Sequence, residues 1–158
     1  MEREVLQAAI VAQFPFLQPA EGSVDAVGLT VAPEHLHEAC IRLRDWHETA
    51  CDLLHDITSV DLGEQFLLLY HLESYERPEL RISLHVLVPR ESPEVESVTN
   101  VWSTANWHER EVYDLIGVVF RNHPDLRRIL TWDGYEGYPL RKDFKDLRPK
   151  RPRKVRIR

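Results

Sequence analysis

Apolar and polar residues alternate from Leu80 to Val88, with Ile82, Leu84, Val86 and Val88 on one side and Arg81, Ser83, His85 and Leu87 on the other. That period of two marks a strand with one buried face. Leu53 to Leu62 and Gln65 to Leu72 are two further strand-like runs, and Gly63-Glu64 between them predicts a hairpin. In the second run Phe66, Leu68 and Tyr70 share one face and Leu67, Leu69 and His71 the other. Apolar residues on both faces predict an interior strand. Val24 to Val31 reads as another strand, closed by Pro33.

Helical spacing accounts for the rest of the patterned chain. Val5, Ala8, Ala9 and Ala12 predict a helix over residues 2–13 that stops before Pro15. The clearest amphipathic stretch runs from Pro33 to about Ala50: Leu36, Ala39, Cys40, Leu43 and Trp46 or His47 form the stripe, with Glu34, Glu38, Arg42 and Arg44 away from it. Val98 to Thr104 predicts a short helix. The order of elements predicts an α+β fold: a single domain over residues 1–120, with an open, largely antiparallel sheet of about four strands packed by helices. After Gly117 periodicity fades, and Pro124, Gly134, Gly137, Pro139, Pro149 and Pro152 punctuate an extended C-terminal arm over residues 121–158. An arm of this length without periodicity either packs along a surface or is disordered.

Composition adds exclusions. A chain of 158 residues with 43% hydrophobic and 29% charged content has the make-up of one soluble globular domain. No apolar run approaches the roughly 18–20 residues of a membrane-spanning helix. Met1-Glu2-Arg3-Glu4 opens on charge without a signal-peptide core, which predicts no export. Cys40 and Cys51 form no CxxC pair and read as structural thiols of a reducing compartment; two thiols cannot hold a four-thiolate iron–sulfur cluster. The net charge of −6 conceals an asymmetry, since seven of the twenty basic residues lie in 148–158, where there is no acid. Residues 1–147 therefore carry thirteen basic against twenty-six acidic residues. A basic tail on an acidic body either lies on another surface or solubilises the end.

The densest chemistry stands between Asn106 and Phe144. Asn106 and Glu109 have the spacing of a capping box, which predicts a helix from there to Ile116 with Gly117 as its left-handed terminator. Val112, Leu115 and Ile116 would form one flank and Trp107, Arg110, Glu111 and Asp114 the other, with Arg110 and Asp114 as i, i+4 partners. Arg127 and Arg128 supply two planar forks able to clamp Glu109, Glu111 or Asp114, or a partner's carboxylates. His123-Pro124 fixes one bend. Gly134, Gly137 and Pro139 make a second, and Arg141-Lys142-Asp143 follows as a mixed-charge contact.

Sharper chemistries fit less well. His108, Glu111, Asp114 and His123 match no zinc-helix spacing, and HExxH is absent. Glu109 and Glu111, two apart on a helix, point away from each other and make a poor acid–base pair. The basic tail lacks an aromatic for base stacking, and the acidic body would repel phosphate, so nucleic acid is not expected as a partner.

The run Glu109-Arg110-Glu111-x-x-Asp114-Leu115-Ile116, then His123 and Arg127-Arg128-Ile129-Leu130, resembles the signature of the C-subunit family of proton-pumping NADH:quinone oxidoreductase, respiratory complex I. Asp56-Ile57-Thr58-Ser59-Val60-Asp61, Ser97-Val98-Thr99 and Glu136-Gly137-x-Pro139-Leu140-Arg141-Lys142-Asp143-Phe144 resemble the same family. Two positions depart from it, with Asn122 in place of a glycine and Tyr138 in place of a histidine. Asn still tolerates a left-handed turn, and Tyr138 favours a structural role for that position. The resemblance implies a non-catalytic structural subunit of the peripheral arm, without flavin, cluster, metal or quinone ligands of its own. It implies packing against subunits B and D and other hydrophilic-arm subunits, with the membrane met only through the complex, on its cytoplasmic side. The interface residues would be Trp107, Glu109, Arg110, Glu111, Asp114, His123, Pro124, Arg127, Arg128, Gly137, Pro139, Arg141, Lys142 and Asp143. The equivalent subunit of a ferredoxin-dependent photosynthetic complex, an F420-dependent complex or a membrane-bound hydrogenase is the alternative.

Overall fold

A computed structural model describes residues 3–20 and 26–146. Its strands are β1 (Leu17–Pro19), β2 (Val27–Val31), β3 (Leu53–Asp61), β4 (Gln65–Glu73) and β5 (Arg81–Pro89), forming one sheet in the order β1-β2-β5-β4-β3. Gly63-Glu64 turns β3 into β4, and Leu62 closes the hairpin by donating to the Gln65 carbonyl. β4 pairs antiparallel with β5, whose other side takes β2 in parallel. The chain enters the far edge at β3 and works back through β4, so β5 ends beside β2. The sheet is thus largely antiparallel, with five strands rather than about four. The added member, β1, is a three-residue edge strand ending in Pro19, a position where a missing amide donor is tolerated.

β4 is interior, as its two apolar faces predict. Phe66, Leu68, Tyr70 and Leu72 are fully buried, and Leu67, Leu69 and His71 half-buried. Ile82, Leu84, Val86 and Val88 continue the same buried face across β5. Helix α1 (Arg3–Gln13) corrects the predicted stripe: Val5, Ala8, Ala9 and Ala12 are exposed, and Leu6 and Ile10 face the core. Branched side chains bury several times the apolar area of alanine, so they set the helix's rotation. The second amphipathic stretch keeps its stripe of Leu36, Ala39, Cys40 and Leu43. It forms a single 3-10 turn, Pro33–His35, followed by α2 (Leu36–Asp45), and ends before Ala50.

The helix predicted over Val98 to Thr104 is a run of turns instead, with Val101 and Trp102 both donating to the Val98 carbonyl. Trp102 Nε1 donates to the Cys51 carbonyl at 3.0 Å and pins this run to the body. Two short strands, β6 (Glu94–Glu96) and β7 (Val119–Arg121), pair in parallel on either side of α3 (Ala105–Ile116) in the chain. Cys40 and Cys51 are free and buried; burial, the larger cause, pushes the Cys51 thiol up to about 12, far from a reactive thiolate. Among the described residues no helix is long and apolar enough to cross a membrane. Residues 122–146 contain no helix or strand and run along the body. The basic segment 148–158 lies outside the described residues.

Candidate functional site

Helix α3 and the arm meet at three anchors. α3 starts at Ala105 with Thr104 as its cap, and no side chain caps it. The predicted capping box is therefore absent: Asn106 lies inside the helix, and Glu109 turns to a different partner. At the other end Gly117, with φ 85°, donates to the Val112 and Tyr113 carbonyls as the expected left-handed terminator. Any side chain there would collide with the arm, since a Cβ would lie 2.6 Å from the Tyr138 ring and 2.7 Å from Arg141.

The first anchor is Glu109, which is fully buried. Its Oε1 accepts the Val98 amide and its Oε2 the Ser97 hydroxyl, each at 2.7 Å. Asn122 holds the turn after β7 with φ 60°, the conformation expected of it. That turn brings His123 Nε2 to 3.2 Å from the Asn106 carbonyl and 3.9 Å from Glu109. Desolvation outweighs the two hydrogen bonds and pushes Glu109 up to about 7.

Asp114 is the second anchor, also fully buried. Its carboxylate accepts the amides of Ile129, Leu130 and Thr131 at 3.0, 2.7 and 2.8 Å, together with the Thr131 hydroxyl and Arg128 Nη1. Burial works to raise this carboxyl, but the donors from Thr131, Arg128 and Leu130 outweigh it and hold it well below the usual carboxylate range. Arg110 does not pair with Asp114. It donates to the Arg127 and Arg128 carbonyls and lies 5.3 Å from the Trp107 ring.

The third anchor joins the arm to the β3–β4 hairpin. Asp61 accepts the Gly63 amide, Arg90 and the Lys142 amide, each at 2.8 Å. Burial opposes ionisation here too, but these donors lower the Asp61 carboxyl to about 2. Arg90 also pairs with Asp143 at 2.7 Å. Arg141 donates to the Ile116 carbonyl at 2.5 Å and lies 4.4 Å from the Tyr138 ring. Arg128 lies 5.3 Å from the same ring, so Tyr138 is shared by two guanidiniums. Asp61 carried a readable signal, since Asp two residues before Gly is an Asx-turn. Thr131 and Arg90 carried none.

The singled-out charges thus divide. Glu109, Arg110, Asp114, Arg128, Arg141 and Asp143 pair within the chain. Trp107 (61% exposed), Glu111, Pro124, Arg127, Gly137 and Lys142 face outward, beside Leu130 (63%) and Trp132 (60%). Pro139 is half-buried. Among the described residues the Arg127 side chain pairs only with exposed Asp125, at 2.9 Å. His108, Glu111, Asp114 and His123 do not converge: His108 faces Asp56 at 3.6 Å, and Asp114 is enclosed by the arm. Among the described residues no three His, Cys, Asp or Glu side chains come together as a metal site.

The family described as respiratory-chain NADH dehydrogenase, 30 Kd subunit, matches residues 29–150. The second C subunit of NADH-quinone oxidoreductase from Rhizobium meliloti (strain 1021) is 40% identical over 148 residues, covering 90% of this chain and 80% of that protein. The C subunit of the Geobacter metallireducens enzyme is 47% identical over 122 residues, covering 75% and 74%. The solved trypsin-resistant fragment (1-134) of Nqo5 superposes with a TM-score of 0.62 at 28% identity, covering 79% of this chain and 100% of the fragment. A chain of an archaeal membrane-bound sulfane sulfur reductase shares the fold, with a TM-score of 0.70 at 23% identity, covering 91% of this chain and 86% of that one. Matched over most of its length by family and relatives alike, the chain belongs to the 30 kDa subunit family of respiratory-chain NADH dehydrogenase, the C-subunit family of NADH-quinone oxidoreductase.

Proposed function

We propose that this chain is a non-catalytic structural subunit of the peripheral arm of proton-translocating NADH:quinone oxidoreductase. A body of residues 1–120 and an arm of residues 121–158 together dock on subunits B and D, at the cytoplasmic side of the membrane. One observation carries this reading: the buried motif charges Arg110 and Asp114 are spent on the arm's own main chain. Asp114 alone takes three consecutive amides of the arm. Groups so fully satisfied make a rigid mount rather than a reaction centre. The same arrangement leaves Trp107, Leu130 and Trp132 facing outward, and aromatic anchors of this kind dominate interface energetics. Glu109, Asp114, Arg128 and Arg141 hold the surface from behind; Trp107, Glu111, Arg127 and Lys142 make the contact.

Pull-down of the whole complex through a tag on this chain tests the reading. The Trp107→Ala/Trp132→Ala variant should stay folded and lose co-purifying subunits B and D. Full recovery of both with the double variant would place the docking surface elsewhere.

A further inference from the structure

Three of the stretches singled out in the sequence, Ser97-Val98-Thr99, Glu109 and His123, meet at one buried point, and nothing in a purely structural mount requires an ionisable group there. Glu109 and the His123 side chain are both fully buried. The imidazole's state follows from its neighbours. Nδ1 accepts the Asp125 amide at 3.0 Å, so the ring's proton sits on Nε2, which faces the Asn106 carbonyl at 3.2 Å. Adding a second proton would break the Asp125 bond. His123 is therefore neutral and no counter-ion to Glu109, and burial further lowers its pKa.

No other cation among the described residues takes the role. Arg110, next in the helix, spends its guanidinium on the Arg127 and Arg128 carbonyls. The other groups acting on Glu109 or feeling its charge are Glu96 from the β6 side, Tyr70 from β4 and Cys40 from α2. An acid and two neutral groups cannot offset a buried negative charge, and the Tyr70 hydroxyl has no hydrogen-bond partner among the described residues. The hydrogen-bond chain accepts the neutral acid without rearrangement. Glu109 Oε2 can donate to Ser97 Oγ, which then donates to Thr99 Oγ1 at 2.9 Å, while Oε1 keeps the Val98 amide.

We propose that Glu109 is a proton-operated latch at the base of the arm: as the neutral acid it closes the junction of α3 with the Ser97–Thr99 turn, against which the His123 turn packs, and its ionisation loosens that junction. The proton comes from and returns to bulk water. The carboxyl pushed up to about 7 by burial, from an ordinary 4.5, sets the direction. A raised carboxyl binds more protons in the closed state. The stabilisation is therefore fully present below about pH 4.5 and lost as pH rises through about 7.

The test uses the full chain. The Glu109 side-chain carboxyl carbon, labelled with carbon-13 and assigned by its absence in Glu109→Gln, should titrate near neutrality. Amide exchange at Val98, Thr99 and Asp125, corrected for intrinsic base catalysis, should lose up to about tenfold protection per pH unit between pH 5 and 7 and level off above that. Glu109→Gln, which keeps an acceptor for Val98, should show protection independent of pH. An ordinary carboxylate titration would overturn the proposal, as would protection at Val98 that stays constant across that range. The exchange at Val98 is read on the unaltered chain alone, so a Gln variant that fails to fold still leaves that outcome to decide.

Discussion

One nitrogen of Arg128 reaches both ends of Asp114: Nη1 donates to the carboxylate at 2.8 Å and to the main-chain carbonyl at 3.0 Å. The guanidinium also donates to the Gly137 carbonyl at 3.1 Å, which ties the helix end to two parts of the arm. Arg128 is thus an internal clamp, whereas neighbouring Arg127 is exposed.

That contrast separates the two arginines by experiment. Arg128→Ala leaves Asp114 its three amides and a hydroxyl, and should cost about 1–2 kcal/mol in urea unfolding. Asp114→Ala strands those donors and a mostly buried cation, and should cost about 3–5 kcal/mol. Arg127→Ala should leave the unfolding midpoint unchanged and act only on co-purification.

Gly117 and Tyr138 form a second testable pair. Gly117→Ala meets both the left-handed backbone cost, about 1–2 kcal/mol, and the Tyr138 ring. Adding Tyr138→Ala removes the ring, so the double variant should be less destabilised than the sum of the singles. Strict additivity in a thermal or urea double-mutant cycle would show that the two do not touch.

Tyr138→His installs the residue that the family resemblance leads one to expect there and places a titratable ring between Arg128 and Arg141. Like charges disfavour its protonation, so its folded pKa falls below the ordinary histidine value. The variant's stability should hold at pH 8 and decline as pH falls below about 6.5. Melting temperatures of variant and parent from pH 5 to 8 give the comparison.

Acid should release the arm. Asp61, lowered to about 2, and Asp114, also held below the usual carboxylate range, contribute stability that is complete above the ordinary carboxyl value of 3.8 and lost as pH falls through the folded value. Trp132 fluorescence should therefore change between pH 4 and 2. Asp61→Asn should remove the Asp61 part of that change.

Much of the body was legible because its signals are local. The alternation in β5, the two apolar faces of β4 and the α2 stripe each need only a window of residues. The Gly63 hairpin and the Gly117 terminator need only one small residue at a fixed place. What failed was non-local or too short. β6 and β7 are three residues each and pair across the whole of α3. The Val98 to Thr104 turns are held by Cys51 and Glu109, which no local pattern reveals. In the site, sequence singled out charges that the fold gathers between α3 and the arm but not their partners, because Asp114 is satisfied by main-chain amides that every residue carries.

The parallel seam of β2 and β5 carries a consequence for biogenesis. Val27 lies opposite Ile82, so the inner neighbour of β2 is synthesised only after both intervening sheet strands, β3 and β4. Until then β2 has only β1 and α1 to pack on, and a nascent chain arrested before Arg81 leaves the inner edge of Val27, Leu29 and Val31 open to any chaperone within reach.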